Sequence, residues 1–143
     1  MTANLNVLVV DDSADLRELI SLVIERHPAG WQVVGTAGEG QEGVDEARAR
    51  QPDLVLLDIA MPIMDGMQAL PLIREAAPNA VVVMLSGYPF ATAGQGAINA
   101  GAHGYLEKSD LVRSLIPRLE RILRDASSDS EHAGADSGGS THP

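Results

Sequence analysis

The stretch "PDLVLLDIAMPIMDG" (residues 52–66) decides the fold. Leu54 to Leu57 are apolar without a break, and the run ends on Asp58. A strand with one wet face would alternate apolar and polar residues. An unbroken run fits a parallel strand covered on both faces. After it comes a loop with Pro62 and Gly66, and then helical spacing.

Moving outward, four more apolar runs repeat the arrangement: "LNVLVV" (5–10), "WQVVGTA" (31–37), "AVVVML" (80–85) and "HGYLE" (103–107). Each precedes a segment able to form a helix. Leu16, Leu19, Ile20 and Val23 carry the period of the first helix. Val112, Leu115, Ile116, Leu119, Ile122 and Leu123 carry that of the last. Five strand–helix alternations predict right-handed crossovers and a doubly wound α/β sandwich, (βα)5, around a five-stranded parallel sheet.

The chain has 143 residues, enough for one domain with a real core. It lacks cysteine, and no basic leader precedes an apolar h-region, so secretion and disulfide chemistry are not expected. Its apolar runs fall far short of the ~20 residues a bilayer requires. A soluble cytoplasmic protein is the expectation. The net charge of −10 opposes general binding to nucleic-acid phosphates. Residues 125–143, "DASSDSEHAGADSGGSTHP", have four acids, no Lys or Arg and little apolar mass. They are expected to form a disordered acidic tail after a domain spanning 1–124. His132 and His142 lack the companion ligands of a metal site.

In doubly wound sheets, ligands bind beyond the carboxyl ends of the strands. The residues there are Asp11 and Asp12, Asp58, Ser86 and Lys108, the chain's one lysine among ten basic residues. Three carboxylates on one rim repel each other unless a cation joins them. Magnesium suits such a shell, with Asp11, Asp12, Asp58 and a backbone carbonyl just after Asp58 as ligands. A cation held there screens a carboxylate enough to make it a nucleophile toward phosphorus. Ser86 has a hydroxyl to donate to a phosphoryl oxygen. Lys108 brings a compact charge on a flexible stem. A plainer role also exists for some of these residues, since Asp12 or Ser13 suits the N-cap of the first helix.

The motifs "VLVVDDS" (7–13), "PDLVLLDIAMPIMDG" (52–66), "VVMLSGY" (82–88) and "GYLEK" (104–108) together resemble the receiver domain of bacterial two-component response regulators. The resemblance covers about residues 5–124 and implies a flavodoxin-like, CheY-like fold. It implies Asp58 as phosphoacceptor, Asp11 and Asp12 with the Ala60 carbonyl as magnesium ligands, Ser86 as switch hydroxyl and Lys108 as phosphoryl contact. It further implies that Tyr105 swings inward when Ser86 moves. The expected donor is a phosphohistidine on a sensor histidine kinase or phosphotransfer protein. The resemblance also implies output through the surface of helix four, strand five and helix five to an unidentified protein. The receiver would catalyse its own phosphorylation and slow hydrolysis. Direct DNA binding and membrane binding are not expected, and homodimer formation is left open.

Ser109 follows Lys108 where many receivers have a cis-proline. Receivers joined to LuxR-type DNA-binding modules often lack that proline too. Here the acidic tail follows, which predicts a stand-alone receiver, and Ser109 is predicted to cap the last helix. Helix four, "PFATAGQGAINAG", should be weak because interior glycine costs about 1 kcal/mol against alanine. Pro71 and Pro117 lie within helical patterns and are expected to bend or shift their helices. Arg113, Arg118, Arg121 and Arg124 are expected to form a solvated face of the last helix.

Three other functions compete. "GEGQEG" (38–43) fits a dinucleotide fingerprint with Asp58 twenty residues on, but it follows the second strand rather than the first. An aspartate-nucleophile phosphohydrolase would need a second acid where Ala60 stands. A phosphate-independent pseudo-receiver remains compatible with Ser109, although such modules commonly lose one of the site residues that are intact here.

Overall fold

The computed structural model describes residues 4–139, with side-chain surroundings through residue 128. Five strands alternate with five helices: β1 Asn6–Val10, α1 Ala14–Glu25, β2 Gln32–Ala37, α2 Gly40–Arg50, β3 Leu54–Asp58, α3 Gly66–Ala76, β4 Val81–Ser86, α4 Phe90–Asn99, β5 Gly104–Glu107 and α5 Leu111–Gly139. The strands form one parallel sheet in the order β2-β1-β3-β4-β5. Each predicted run matches a strand to within a residue at either end.

The continuous run of β3 sends alternate residues to opposite faces. Leu54 and Leu56 join Val7, Val9, Val83, Leu85 and Leu106 beneath α1 and α5, which contribute Ile20, Ile24, Leu115 and Leu119. Val55 and Leu57 join Leu8, Val10, Val82 and Met84 beneath α2, α3 and α4, which contribute Val44, Leu70, Ile73 and Ala97. All five residues of β3 are buried. A full (βα)5 sandwich follows from these two cores.

Helix starts are locally encoded. Ser13 caps α1 by accepting from the Leu16 N–H, which settles the choice between Asp12 and Ser13. Asp65 and Gln68 form a reciprocal capping box on α3. Both prolines lie inside helices, Pro71 in α3 and Pro117 in α5.

One expectation changes. Residues 108–110 form a 3-10 turn, and the Ser109 hydroxyl caps nothing among the described residues. The turn itself leads the chain into α5 at Leu111, one residue too late for Ser109 to serve as the cap. The Lys108–Ser109 bond is trans, since no cis peptide occurs among the described residues. Helix α5 runs on to Gly139. Extending an established helix costs far less than nucleating one, because each added residue gains a hydrogen bond. Residues 140–143 lie outside the described residues. Among the described residues, no helix is long and apolar enough to cross a membrane.

Candidate functional site

The site is set by the reversal in strand order. β1 lies beside β3 with Val10 opposite Leu57, so Asp11 emerges next to Asp58. α1 returns over one face of the sheet and α3 over the other. Their first turns diverge and leave the strand ends open between them.

Asp11, Asp12 and Asp58 come together: one ligand oxygen of each lies within 4.8 Å of the others. Asp11 and Asp58 are buried, whereas Asp12 is exposed. Lys108 reaches across from the end of β5, its Nζ 2.9 Å from Asp11 Oδ2 and 3.0 Å from Asp58 Oδ1. Burial works against the Lys108 ammonium, but its hydrogen bonds and attraction to the two aspartates prevail and raise its pKa. Burial acts on Asp58 more strongly than its partners do. Its pKa is pushed up to about 6, with Asp11 adding repulsion and Lys108 and the Ala60 N–H offsetting part of the rise.

One ammonium therefore does not neutralise the rim. Asp58 Oδ1 accepts from the Ala60 N–H at 3.1 Å. Its Oδ2 is buried and accepts no hydrogen bond among the described residues. A buried, unbonded carboxylate oxygen beside two further carboxylates is a fitting place for a hard divalent cation.

Ser86 ends β4, nearly fully buried, and its Oγ accepts from the Tyr88 N–H at 2.9 Å. That bond uses an oxygen lone pair and leaves the hydroxyl hydrogen to be donated. Tyr105 lies inside, with its hydroxyl donating to the Tyr88 carbonyl at 2.7 Å. Phe90 meets its ring edge-on at 5.6 Å. The inward position is thus the one this structure adopts. Ala60 is exposed on the lip of the β3–α3 loop.

That loop is tightly bound to the site. Gly66 presses on Asp58, and a Cβ there would stand 2.2 Å from the Asp58 carbonyl oxygen. At the tip, the Met64 N–H donates to the Pro62 carbonyl at 2.8 Å, which forces Ile63 to φ +70. A β-branched residue rarely adopts that backbone, and Ile63 is 97% exposed.

The fingerprint glycines do not cradle a phosphate. Glu39 caps α2 by accepting from the Gln41 and Glu42 N–H groups, and Glu42 accepts from the Gly38 N–H. Two carboxylates already take the amides a pyrophosphate would use. Gly43 instead lets α2 approach Val10 of β1.

Sequence reasoning missed Arg17, whose Nη1 donates to the Asp11 carbonyl at 2.7 Å, and Glu107, which accepts from the Phe90 N–H at the start of α4. Arg17 follows the Ser13 cap by four residues, one helical turn, and that spacing was the available signal.

A buried acidic pocket facing a lysine, at the reversal point of a five-stranded α/β sheet, defines a phosphoryl-accepting receiver class. Residues 7–120 match the family model of the response regulator receiver domain, and the chain belongs to that family. It is 42% identical over 133 residues to a protein-glutamate methylesterase/protein-glutamine glutaminase of Geobacter sulfurreducens, a match covering 89% of this chain and 36% of that one. The probable transcriptional regulatory protein TcrX of Mycobacterium tuberculosis is 32% identical, over 82% of this chain and 49% of its own. The chain thus spans between a third and a half of these relatives. Among solved structures, the response regulator domain of Thermotoga maritima CheB superposes with a TM-score of 0.74 at 34% identity, covering 84% of this chain and 94% of that one. CheY in the CheX-CheY-BeF3-Mg complex of Borrelia burgdorferi gives 0.76 at 29% identity, covering 83% and 89%.

Proposed function

We propose that the chain accepts a phosphoryl group on Asp58 from a phosphohistidine of a sensor kinase or phosphotransfer protein and passes the signal on by protein contact. The observation that carries this is the buried Asp58 carboxylate, with one oxygen tethered by Ala60 and Lys108 and the other without a hydrogen bond. Asp11, Asp12, Asp58 and the Ala60 carbonyl would hold magnesium. When bound, the ion supplies charge neutralisation at the attacking and transferring oxygens.

The chain's own residues do the rest. An Asp58 oxygen attacks phosphorus as the phosphorus–nitrogen bond breaks, and the electron pair stays on the donor imidazole, which takes up a proton. Lys108, already 3.0 Å from Asp58 Oδ1, is placed to follow the new charge. Ser86 donates its free hydroxyl hydrogen to a phosphoryl oxygen. That draws on the Tyr88 segment it is bonded to, and through Tyr88 on the hydroxyl of Tyr105. Hydrolysis by water later returns Asp58 and inorganic phosphate. The magnesium and BeF3 in the Borrelia CheY complex support this reading by likeness.

The test is to mix the protein with magnesium and acetyl phosphate and measure its mass. The expected result is a gain of one phosphoryl group, absent from Asp58→Asn. No gain in the wild-type chain would overturn the reading.

A further inference from the structure

We propose that Arg17 is a positioning residue for the acidic rim: by gripping the peptide unit that joins Asp11 to Asp12, it fixes the relative direction of the two carboxylates and so sets divalent-cation affinity. This rests on the proposed magnesium-dependent function of the same site.

Hydrogen bonds hold Asp11 at its N–H, its Oδ1 and its carbonyl, while its buried Oδ2 has the Lys108 ion pair alone. Its N–H donates to the Ala37 carbonyl at 3.0 Å, and its Oδ1 accepts from the Ser13 N–H at 2.9 Å. Its Oδ2 faces Lys108. Its carbonyl lies just past the end of β1, where the ladder no longer supplies a donor. A strand-end carbonyl in a buried setting needs a partner, and Arg17 Nη1 provides one at 2.7 Å. That carbonyl oxygen belongs to the Asp11–Asp12 peptide plane. The plane's rotation determines where Asp12, the exposed member of the trio, points relative to buried Asp11.

Arg17 is itself braced from two sides. Its N–H donates to the Ser13 carbonyl at 3.0 Å in the first turn of α1, and Ser21 Oγ donates to the Arg17 carbonyl at 2.7 Å. The guanidinium passes over Gly38 of the β2–α2 loop. A Cβ on Gly38 would stand 3.1 Å from Nη1 and 3.6 Å from Cζ. Gly38 therefore gives the guanidinium its path to Asp11. This accounts for one of the fingerprint glycines that phosphate binding left unexplained.

Groups that hold metal ligands without touching the metal change affinity by about 10- to 100-fold when removed. Magnesium titrated into the wild type, Arg17→Ala, Arg17→Lys, Gly38→Val and the Arg17→Ala/Gly38→Val double variant, followed by calorimetry, tests the inference. Arg17→Ala is expected to raise the magnesium Kd about tenfold or more, with partial rescue in Arg17→Lys. Gly38→Val is expected to act the same way, because a side chain there displaces the guanidinium. The double variant should then be no worse than Arg17→Ala, as for two changes acting through one contact. With acetyl phosphate, the half-saturating magnesium concentration should rise while the rate at saturating magnesium stays within about twofold, a split expected when only uniform binding is lost. Melting without magnesium separates this from misfolding, since the variants should keep a cooperative transition close to wild type. Unchanged magnesium affinity in folded Arg17→Ala or Gly38→Val would overturn the inference and leave the function standing. Absence of magnesium binding in the wild type would overturn both.

Discussion

At the residue scale, burial on folding disfavours the charged form of Asp58. Its pKa is about 6 in the folded chain against an ordinary 3.8, so the folded state holds the proton more tightly than the unfolded one. The contribution of Asp58 to stability therefore falls as pH rises from about 4 to about 6 and remains reduced above that. Asp58→Asn removes this penalty. In magnesium-free urea unfolding at pH 8, the variant should be more stable than the wild type by up to roughly 3 kcal/mol, since each tenfold gain in proton affinity on folding is worth ~1.4 kcal/mol. Near pH 4 the gap should close. Ile63 stores strain in its backbone. Asn tolerates positive φ where a β-branched residue does not, and nothing packs on a side chain this exposed. Ile63→Asn should add about 0.5 to 1 kcal/mol in the same assay.

At the scale of elements, α4 differs from its neighbours. Its N-cap residue Pro89 makes no side-chain cap, and the Glu107 carboxylate accepts from the Phe90 N–H instead. Gly94 is required where it stands, because a Cβ would meet the Phe90 ring at 1.9 Å. The glycine that weakens the helix is thus the one that lets Phe90 fold back toward Tyr105. A helix with this little local support reshapes at low free-energy cost. Amide exchange in α4 is expected to be faster than in β4, and to change when Asp58 is phosphorylated by acetyl phosphate. Equal protection in both forms would count against α4 as the element that moves.

At the scale of the whole molecule, two cores on either side of β3 supply stability, and α5 closes one of them down to Leu123. Beyond it, Arg124 and Asp125 are exposed, as are Ser127 and Ser128. Over residues 124–128 the helix therefore adds backbone hydrogen bonds but little buried apolar surface. Truncation after Arg124 should leave the melting temperature within about 3 °C of the full chain, a shift that corresponds to under about 1 kcal/mol. A larger loss would place the domain limit further along α5.

The sequence by itself determined the alternation of strands and helices, because unbroken apolar runs and helical spacing are local signals that burial on two faces requires. It also determined which residues end the strands, and so named Asp11, Asp12, Asp58, Ser86 and Lys108. Only the tertiary structure decided that β1 lies beside β3, which brings Asp11 to Asp58 and leaves one ammonium against a buried excess of carboxylate. It likewise decided that Ser109 sits in a 3-10 turn without capping α5, and that Arg17 crosses Gly38 to reach Asp11. Strand order, residual charge and a side chain's reach across a loop depend on groups far apart along the chain. No local pattern records them.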